Sequence, residues 1–230
     1  MKTAPVIRPD GGRNHFLEFP AEPGPVSADQ LSDADRQYLQ ELAAERRFIV
    51  DVGTYLGGSA EALLSGMPSD GRLITIDTFQ GVKGSPSGTI RRDLMLRYAL
   101  ERLEPFADRL IVMVGDSRAC ANALPAHSAD LVFLDAAHDY QNVKRDIAAW
   151  LPIVKPDGLM TGHDFDRLTA DPLTLDELKR RSELEWDARS GVHCGVIRAV
   201  YESFMHVAQP PETTTSIWVA KPEWKRDGET

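Results

Sequence analysis

Cysteine is almost missing. Cys120 and Cys194 are the only two in 230 residues, and they form no C-x-x-C pair. Neither a disulfide framework nor a cysteine zinc site is expected; reduced thiols in a cytoplasmic protein are. Long apolar runs are missing too, and nothing approaches the roughly 20 apolar residues that a membrane span needs. The opening "MKTAPVIRPDGGRNHFLEF" lacks an apolar segment, so no secretory signal is expected. Positive charge is scarce: 26 Lys and Arg face 35 Asp and Glu, for a net charge of −9. Nucleic-acid backbones attract the opposite balance, so no nucleic-acid partner is expected. The one dense basic cluster, Lys179 to Arg181, reads as a solvated helix face. Internal repeats and low-complexity tracts are also lacking.

Hydrophobic residues make up 42% of the chain, enough for one sizeable core. Residues 1–26 are rich in Pro, Gly and polar side chains and read as an arm or lid, leaving 27–230 as a single domain. "SADQLSDADRQYLQELAAERR" has helical spacing, with Ser27 or Ser32 as its cap. The rhythm then changes. "FIVDVG", "LITIDTF", "LIVMVGDS", "LVFLDAAH" and "GLMTGHDF" are short apolar runs bounded by turn residues. "GGSAEALLSGM", "IRRDLMLRYALERL", "SRACANAL" and "YQNVKRDIAAWL" lie between them with helical periodicity, and Trp150 reads as core. Strands alternating with helices predict an α/β, doubly wound, mostly parallel sheet. "GVIRAVYESF" predicts a late helix and "TSIWVAKP" a last strand.

In such sheets ligands bind beyond the carboxyl ends of the strands. Asp51 and Gly53 lie in or just past the first run, Asp77 ends the second, Asp116 follows the third, Asp135 ends the fourth, and His163 with Asp164 follows the fifth. One acid at a strand end is commonly a helix cap; five in succession point to a ligand rim. In "DVGTYLGGSAEAL", Gly53 permits a tight turn and Gly57 lets a ligand approach the backbone. The G-x-x-x-G spacing departs from the G-x-G-x-x-G of dinucleotide folds, which disfavours an oxidoreductase. Asp77, 20 residues past Gly57, is placed to accept two ribose hydroxyls, and "GDS" offers Asp116 and Ser117 to an adenine edge. The loop suits a nucleoside without a pyrophosphate at least as well as a dinucleotide.

These motifs, from about Phe48 through "GHDF" and more weakly to the last strand, resemble the class I S-adenosylmethionine-dependent methyltransferases. Through "DAAHDY…KPDGLMTGHDF" the chain is most similar to small natural-product O-methyltransferases of the macrolide-sugar type and to the cephalosporin-hydroxylase-like group. The resemblance implies a seven-stranded Rossmann-like sheet and S-adenosyl-L-methionine as cofactor. Gly53, Gly57 and Ser59 would surround its methionine part, Asp77 its ribose, and Asp116 with Ser117 its adenine; Asp51, Tyr55, Thr78 and Asp135 complete the expected set. It also implies a homo-oligomer.

Methyl transfer to oxygen needs an aligned acceptor hydroxyl and a group that takes its proton. In the metal-dependent members an acid after the fourth strand is followed, at the separation seen between Asp135 and His163, by an adjacent ligand pair. The resemblance thus implies a divalent metal, Mg²⁺ or Mn²⁺, on Asp135, His163 and Asp164, and places the general base, three residues after Asp135, at His138. The departure is His163, where those enzymes usually carry an acid. Mg²⁺ prefers oxygen ligands. Three outcomes stay open: a softer ion, Mg²⁺ held by Asp135, Asp164 and water, or no metal with His163 acting directly. His138 has a plainer reading as a solvent-facing turn residue, and His163 as a loop-holding one.

Other features weigh less. "FQGVKGSPSG" after Asp77 reads as a substrate-facing loop, Tyr140 as packing or as lining of the acceptor pocket, and 166–192 as a substrate-shaping insertion. His193 and Cys194 lack a second ligand pair, which disfavours zinc. The leading expectation is an O-methyltransferase for a small-molecule hydroxyl acceptor. The alternatives are a metal-dependent oxygenase or hydrolase on the same fold, and a non-catalytic cofactor-binding partner subunit. No two-His-one-carboxylate triad is expected, because His138 and His163 would have to meet on one acid and leave the other idle.

Overall fold

The structure is a computed structural model; it describes residues 6–7, 31–81, 92–166, 175–183, 192–210 and 215–226. Most of the expected arm, Ser27, residues 82–88 of the loop after Asp77, the first residues of the helix read from "IRRDLMLRYALERL" and much of the expected insertion lie outside these residues. The chain forms two compact units, Met1–Ala123 and Leu124–Thr230.

The first unit contains β1 (Val6–Ile7), α1 (Asp33–Ala43), β2 (Phe48–Val52), α2 (Gly58–Gly66), β3 (Arg72–Asp77), α3 (Arg92–Leu103), β4 (Leu110–Val114) and α4 (Ser117–Ala121). Its strands pair in the order β1-β4-β3-β2, all parallel. Ile49 to Val52 are buried at four successive positions. A strand buried on both faces must read as a continuous apolar run, which is why "FIVDV" carries no period-two alternation. Asp51 is the exception within that run, and its register partner explains it: opposite lies Thr75, whose hydroxyl donates to Asp51 Oδ2 at 2.5 Å. The cap of α1 is Ser32. Its hydroxyl accepts from the Asp35 N–H at 3.1 Å while the Asp35 carboxylate accepts from the Ser32 N–H at 2.9 Å, a reciprocal capping box. Truncating such a cap costs about 1 kcal/mol.

The second unit contains β5 (Ala129–Leu134), α5 (Tyr140–Trp150), β6 (Val154–Gly162), α6 (Leu175–Arg181), α7 (Cys194–Ser203) and β7 (Trp218–Ala220). Here β5 pairs with β6 in parallel and β6 with β7 antiparallel. Trp150 and Phe133 are fully buried, as expected of core residues. The strand read from "GLMTGHDF" starts earlier, at Val154, and the last strand is only three residues long. Among the described residues the strands number seven, as expected, only when the two-residue β1 is counted. That strand falls inside the stretch read as an arm, and two residues are too few to leave a period.

One glycine positions the later chemistry. A Cβ on Gly195, in the first turn of α7, would lie 2.2 Å from the His138 carbonyl oxygen and 2.5 Å from the Tyr140 nitrogen. Helix α7 therefore packs backbone to backbone against the turn that carries His138. The same junction is fastened by Tyr140, whose N–H donates to the Ser182 carbonyl at 2.8 Å and whose hydroxyl donates to Glu202 at 2.6 Å. Arg198 covers the Tyr140 ring at 3.7 Å. Of the two expected readings of Tyr140, the structure shows packing.

Candidate active site

Within the first unit, the chain leaves β2 through a backbone that few residue types adopt. Gly53 has φ 107°, Tyr55 φ 45° and Gly57 φ 84°. Asp77, at the end of β3, holds this turn. Its Oδ2 accepts the Tyr55 N–H at 2.7 Å and its Oδ1 the Phe79 N–H at 2.7 Å. Burial pushes the Asp77 pKa up, and these backbone donors only partly oppose it. Thr78 accepts a weak bond from the Gln80 N–H at 3.3 Å, and Ser59 is buried in the first turn of α2.

Two of the expected cofactor residues also have structural duties in this unit. The missing side chain of Gly57 makes room for Leu103 of α3, which a Cβ would meet at 3.2 Å; the glycine serves helix packing and a left-handed turn. Asp116 is a helix cap. It accepts from the Arg118 and Ala119 N–H groups and pairs with the Arg118 guanidinium at 3.1 Å, a hydrogen bond that lowers its pKa. Ser117, next to it, opens α4.

Within the second unit, Asp135 follows β5 and caps nothing; the cap of α5 is Asp139, which accepts from the Asn142 N–H at 3.1 Å. His138 does not face solvent alone. Its Nε2 lies 3.5 Å from Asp135 Oδ1 and 3.0 Å from Asp164 Oδ2. His163 places Nδ1 3.1 Å from Asp164 Oδ1, and His193 places Nε2 3.8 Å from the same oxygen. The His138 and His193 rings are 4.3 Å apart between centroids. Asp164 adopts φ 59°, a left-handed backbone, and its N–H donates to Ser216 Oγ at 3.2 Å. Burial raises the Asp164 pKa, but the hydrogen bonds from His138 and His163 and their charge outweigh it and hold the carboxyl well below its usual range. Asp166 moves the other way, raised by burial and by the Asp164 charge. A cavity of about 10 Å³, the size of one water, is lined by Asp135, His138, His163, Asp146 and Trp218, among others.

Three histidines thus meet on one acid, and Asp135 is not idle beside them, which corrects the expectation that no two-His-one-carboxylate grouping exists. His193 was missed as a member. In the sequence it has only Cys194 beside it and no second ligand pair, and only the packing of α7 against the His138 turn, which Gly195 permits, brings it in. The donor atoms of Asp135, His163 and Asp164, the set that the resemblance implies as metal ligands, lie within 4.8 Å of one another.

Comparison with known proteins fits these features. The methyltransferase domain family model matches residues 50–165, and the chain belongs to that family and is a methyltransferase. The fold recurs in the O-methyltransferase TomG from Streptomyces achromogenes, involved in tomaymycin synthesis and solved with S-adenosylmethionine (TM-score 0.57, 21% identity, 83% of this chain and 80% of that one). It recurs in the O-methyltransferase from Bacillus cereus in complex with S-adenosylhomocysteine (TM-score 0.58, 19% identity, 85% and 84%) and in a methyltransferase from Podospora anserina bound to the same product (TM-score 0.54, 17% identity, 86% and 83%). The fold is therefore the doubly wound, Rossmann-like methyltransferase fold. No curated protein matches the chain. Among the described residues no helix is long and apolar enough to cross a membrane.

Proposed function

We propose that the chain is an S-adenosyl-L-methionine-dependent O-methyltransferase acting on a hydroxyl of a small-molecule acceptor of natural-product type, with His138 as general base and a divalent cation at Asp135, His163 and Asp164. The observation that carries this reading is His138 Nε2, set between two carboxylates at 3.0 and 3.5 Å in a chain of the methyltransferase family.

The cofactor supplies the methyl group as an electrophile, and the cation lowers the acidity barrier of the hydroxyl. The chain does the rest. Asp77 holds the ribose with the carboxylate that also accepts the Tyr55 and Phe79 backbone N–H groups. Gly53, Gly57, Tyr55 and Ser59 border the methionine part, Thr78 the ribose, and Asp116 with Ser117 the adenine; Asp51 braces the strand beneath, and Asp135 completes the set on the cofactor side. The bound cofactor and product in TomG and in the Bacillus cereus enzyme support this choice. His138 takes the acceptor proton, and Asp135 and Asp164 stabilise the imidazolium as it forms. The two unbridged thiols suit a reducing cytoplasm, the acidic composition and short apolar runs suit a protein without nucleic-acid or membrane partners, and the family resemblance suggests a homo-oligomer.

The experiment is radiolabelled methyl transfer to a panel of hydroxyl acceptors, with and without EDTA, for wild type, His138→Ala and Asp135→Ala. Turnover that survives chelation removes the metal, and near-normal turnover in His138→Ala removes the base. The meeting of His138 and His193 on Asp164 favours a second reading, a metal-dependent oxygenase or hydrolase; turnover without S-adenosylmethionine would establish it.

A further inference from the structure

The histidine and carboxylate donors of the second unit fall into two groups. Asp135, His163 and Asp164 offer two oxygens and one nitrogen. His138, His193 and Asp164 offer two nitrogens and one oxygen, and their donor atoms also lie within 4.8 Å of one another. Only Asp164 is common to both.

The second group has the distances of a metal seat. Around an ion with metal–ligand bonds of about 2.0–2.2 Å, neighbouring donors stand roughly 3–3.5 Å apart. His138 Nε2 is 3.0 Å from Asp164 Oδ2, and His193 Nε2 is 3.8 Å from Asp164 Oδ1. The rings are tilted by 43°, so their edges can turn to one point. The seat is also held from behind. Asp164 is fixed in its left-handed conformation by Ser216, the His193 N–H donates to Asp166, and Gly195 locks the start of α7 onto the His138 carbonyl. Two imidazoles and a carboxylate suit a borderline ion, whereas Mg²⁺ keeps to oxygen.

We propose that His138, His193 and Asp164 form a second cation seat, which shares Asp164 with Asp135–His163–Asp164 but uses other nitrogen ligands, and which takes a transition-metal dication of the Zn²⁺ or Co²⁺ class. Its consequence rests on the reading of His138 as general base. An imidazole bound to a dication through Nε2 is a far weaker proton acceptor, so filling this seat inhibits methyl transfer.

Co²⁺ tests the seat without turnover, because the intensity and position of its visible d–d absorption change with coordination number and ligand set. The apo enzyme is titrated with Co²⁺ as wild type, His193→Ala, His193→Gln and His163→Ala, each checked for folding by circular dichroism. Wild type and His163→Ala are expected to develop the band, and both His193 variants to bind at least tenfold more weakly. Wild-type binding by a folded His193 variant overturns the proposal, as does no band in wild type; loss of the band in His163→Ala overturns the separation of the two seats. Zn²⁺ is then titrated into the methyl-transfer assay. A half-inhibiting concentration raised at least tenfold in His193→Ala is the expected result. If Zn²⁺ binds through His193 and turnover is untouched, the seat stands and His138 is not the base.

Discussion

His138 and Asp164, 26 residues apart in sequence, meet at 3.0 Å between Nε2 and Oδ2. The contact joins the turn after β5 to the turn after β6 and puts a titratable ring against a carboxylate held well below its usual pKa. An imidazole so placed can receive a proton without leaving an unbalanced charge in a largely buried site.

The first prediction follows. His138→Ala is expected to lower kcat by roughly 10²–10⁴-fold, the usual range for a lost general base, with little change in cofactor affinity. The pH–rate profile of the wild type should rise with deprotonation of an imidazole, and that limb should vanish in the variant. Stopped-time assays across pH check both.

Asp77 gives a prediction of opposite pH sense for binding and for stability. Burial raises its pKa, so the protonated form suits the empty protein: its contribution to stability is complete below the ordinary carboxylate value and is lost as pH rises through the raised one. Ribose hydroxyls need the ionised acceptor. Cofactor affinity is therefore expected to fall as pH drops through a value above the ordinary carboxylate range, while apo stability gains over the same window. Tryptophan-fluorescence titration with S-adenosylhomocysteine, paired with thermal melts, reads the two trends.

Gly195→Ala places a methyl 2.2 Å from a backbone oxygen that cannot swing away. Overpacking of this kind costs typically about 1–3 kcal/mol. Because the displaced atom belongs to His138, activity should fall further than the loss of stability explains. Comparing Tm with kcat for the variant tests this, and a normal kcat in a destabilised protein would uncouple α7 from the site.

Cys120 has its thiol pushed up to about 11 by burial and by the Asp116 charge. It should remain a thiol and resist alkylation at pH 8 in the folded protein. Peptide mapping after brief iodoacetamide treatment, native against denatured, measures it.

Much of this architecture was readable in the sequence for a physical reason. Buried parallel strands must be apolar throughout, so "FIVDV", "LITID" and "LVFL" stood out, and the polar residues that follow or end them lie at the carboxyl ends of the strands. The pairing of Asp135 and His138 was legible because both sit on one turn. His193 was not, since its place depends on how α7 crosses the turn before α5, and nothing local encodes a crossing. Asp116 is ambiguous for the complementary reason: a strand-end acid that caps a helix and one that faces a ligand look alike in sequence, and the bonds to Arg118 and Ala119 show the cap. Gly57 carried a similar ambiguity between ligand approach and the packing of Leu103.

The central claim is that the glycine turn and Asp77 hold S-adenosylmethionine. Calorimetric titration of the folded wild-type chain with S-adenosylhomocysteine tests it most directly. One molecule bound per chain, with affinity reduced at least tenfold in Asp77→Ala, is the predicted result; that loss corresponds to about 1.4 kcal/mol. A well-folded wild-type protein that gives no binding heat at any temperature tried, and no displacement of labelled cofactor, would contradict the account.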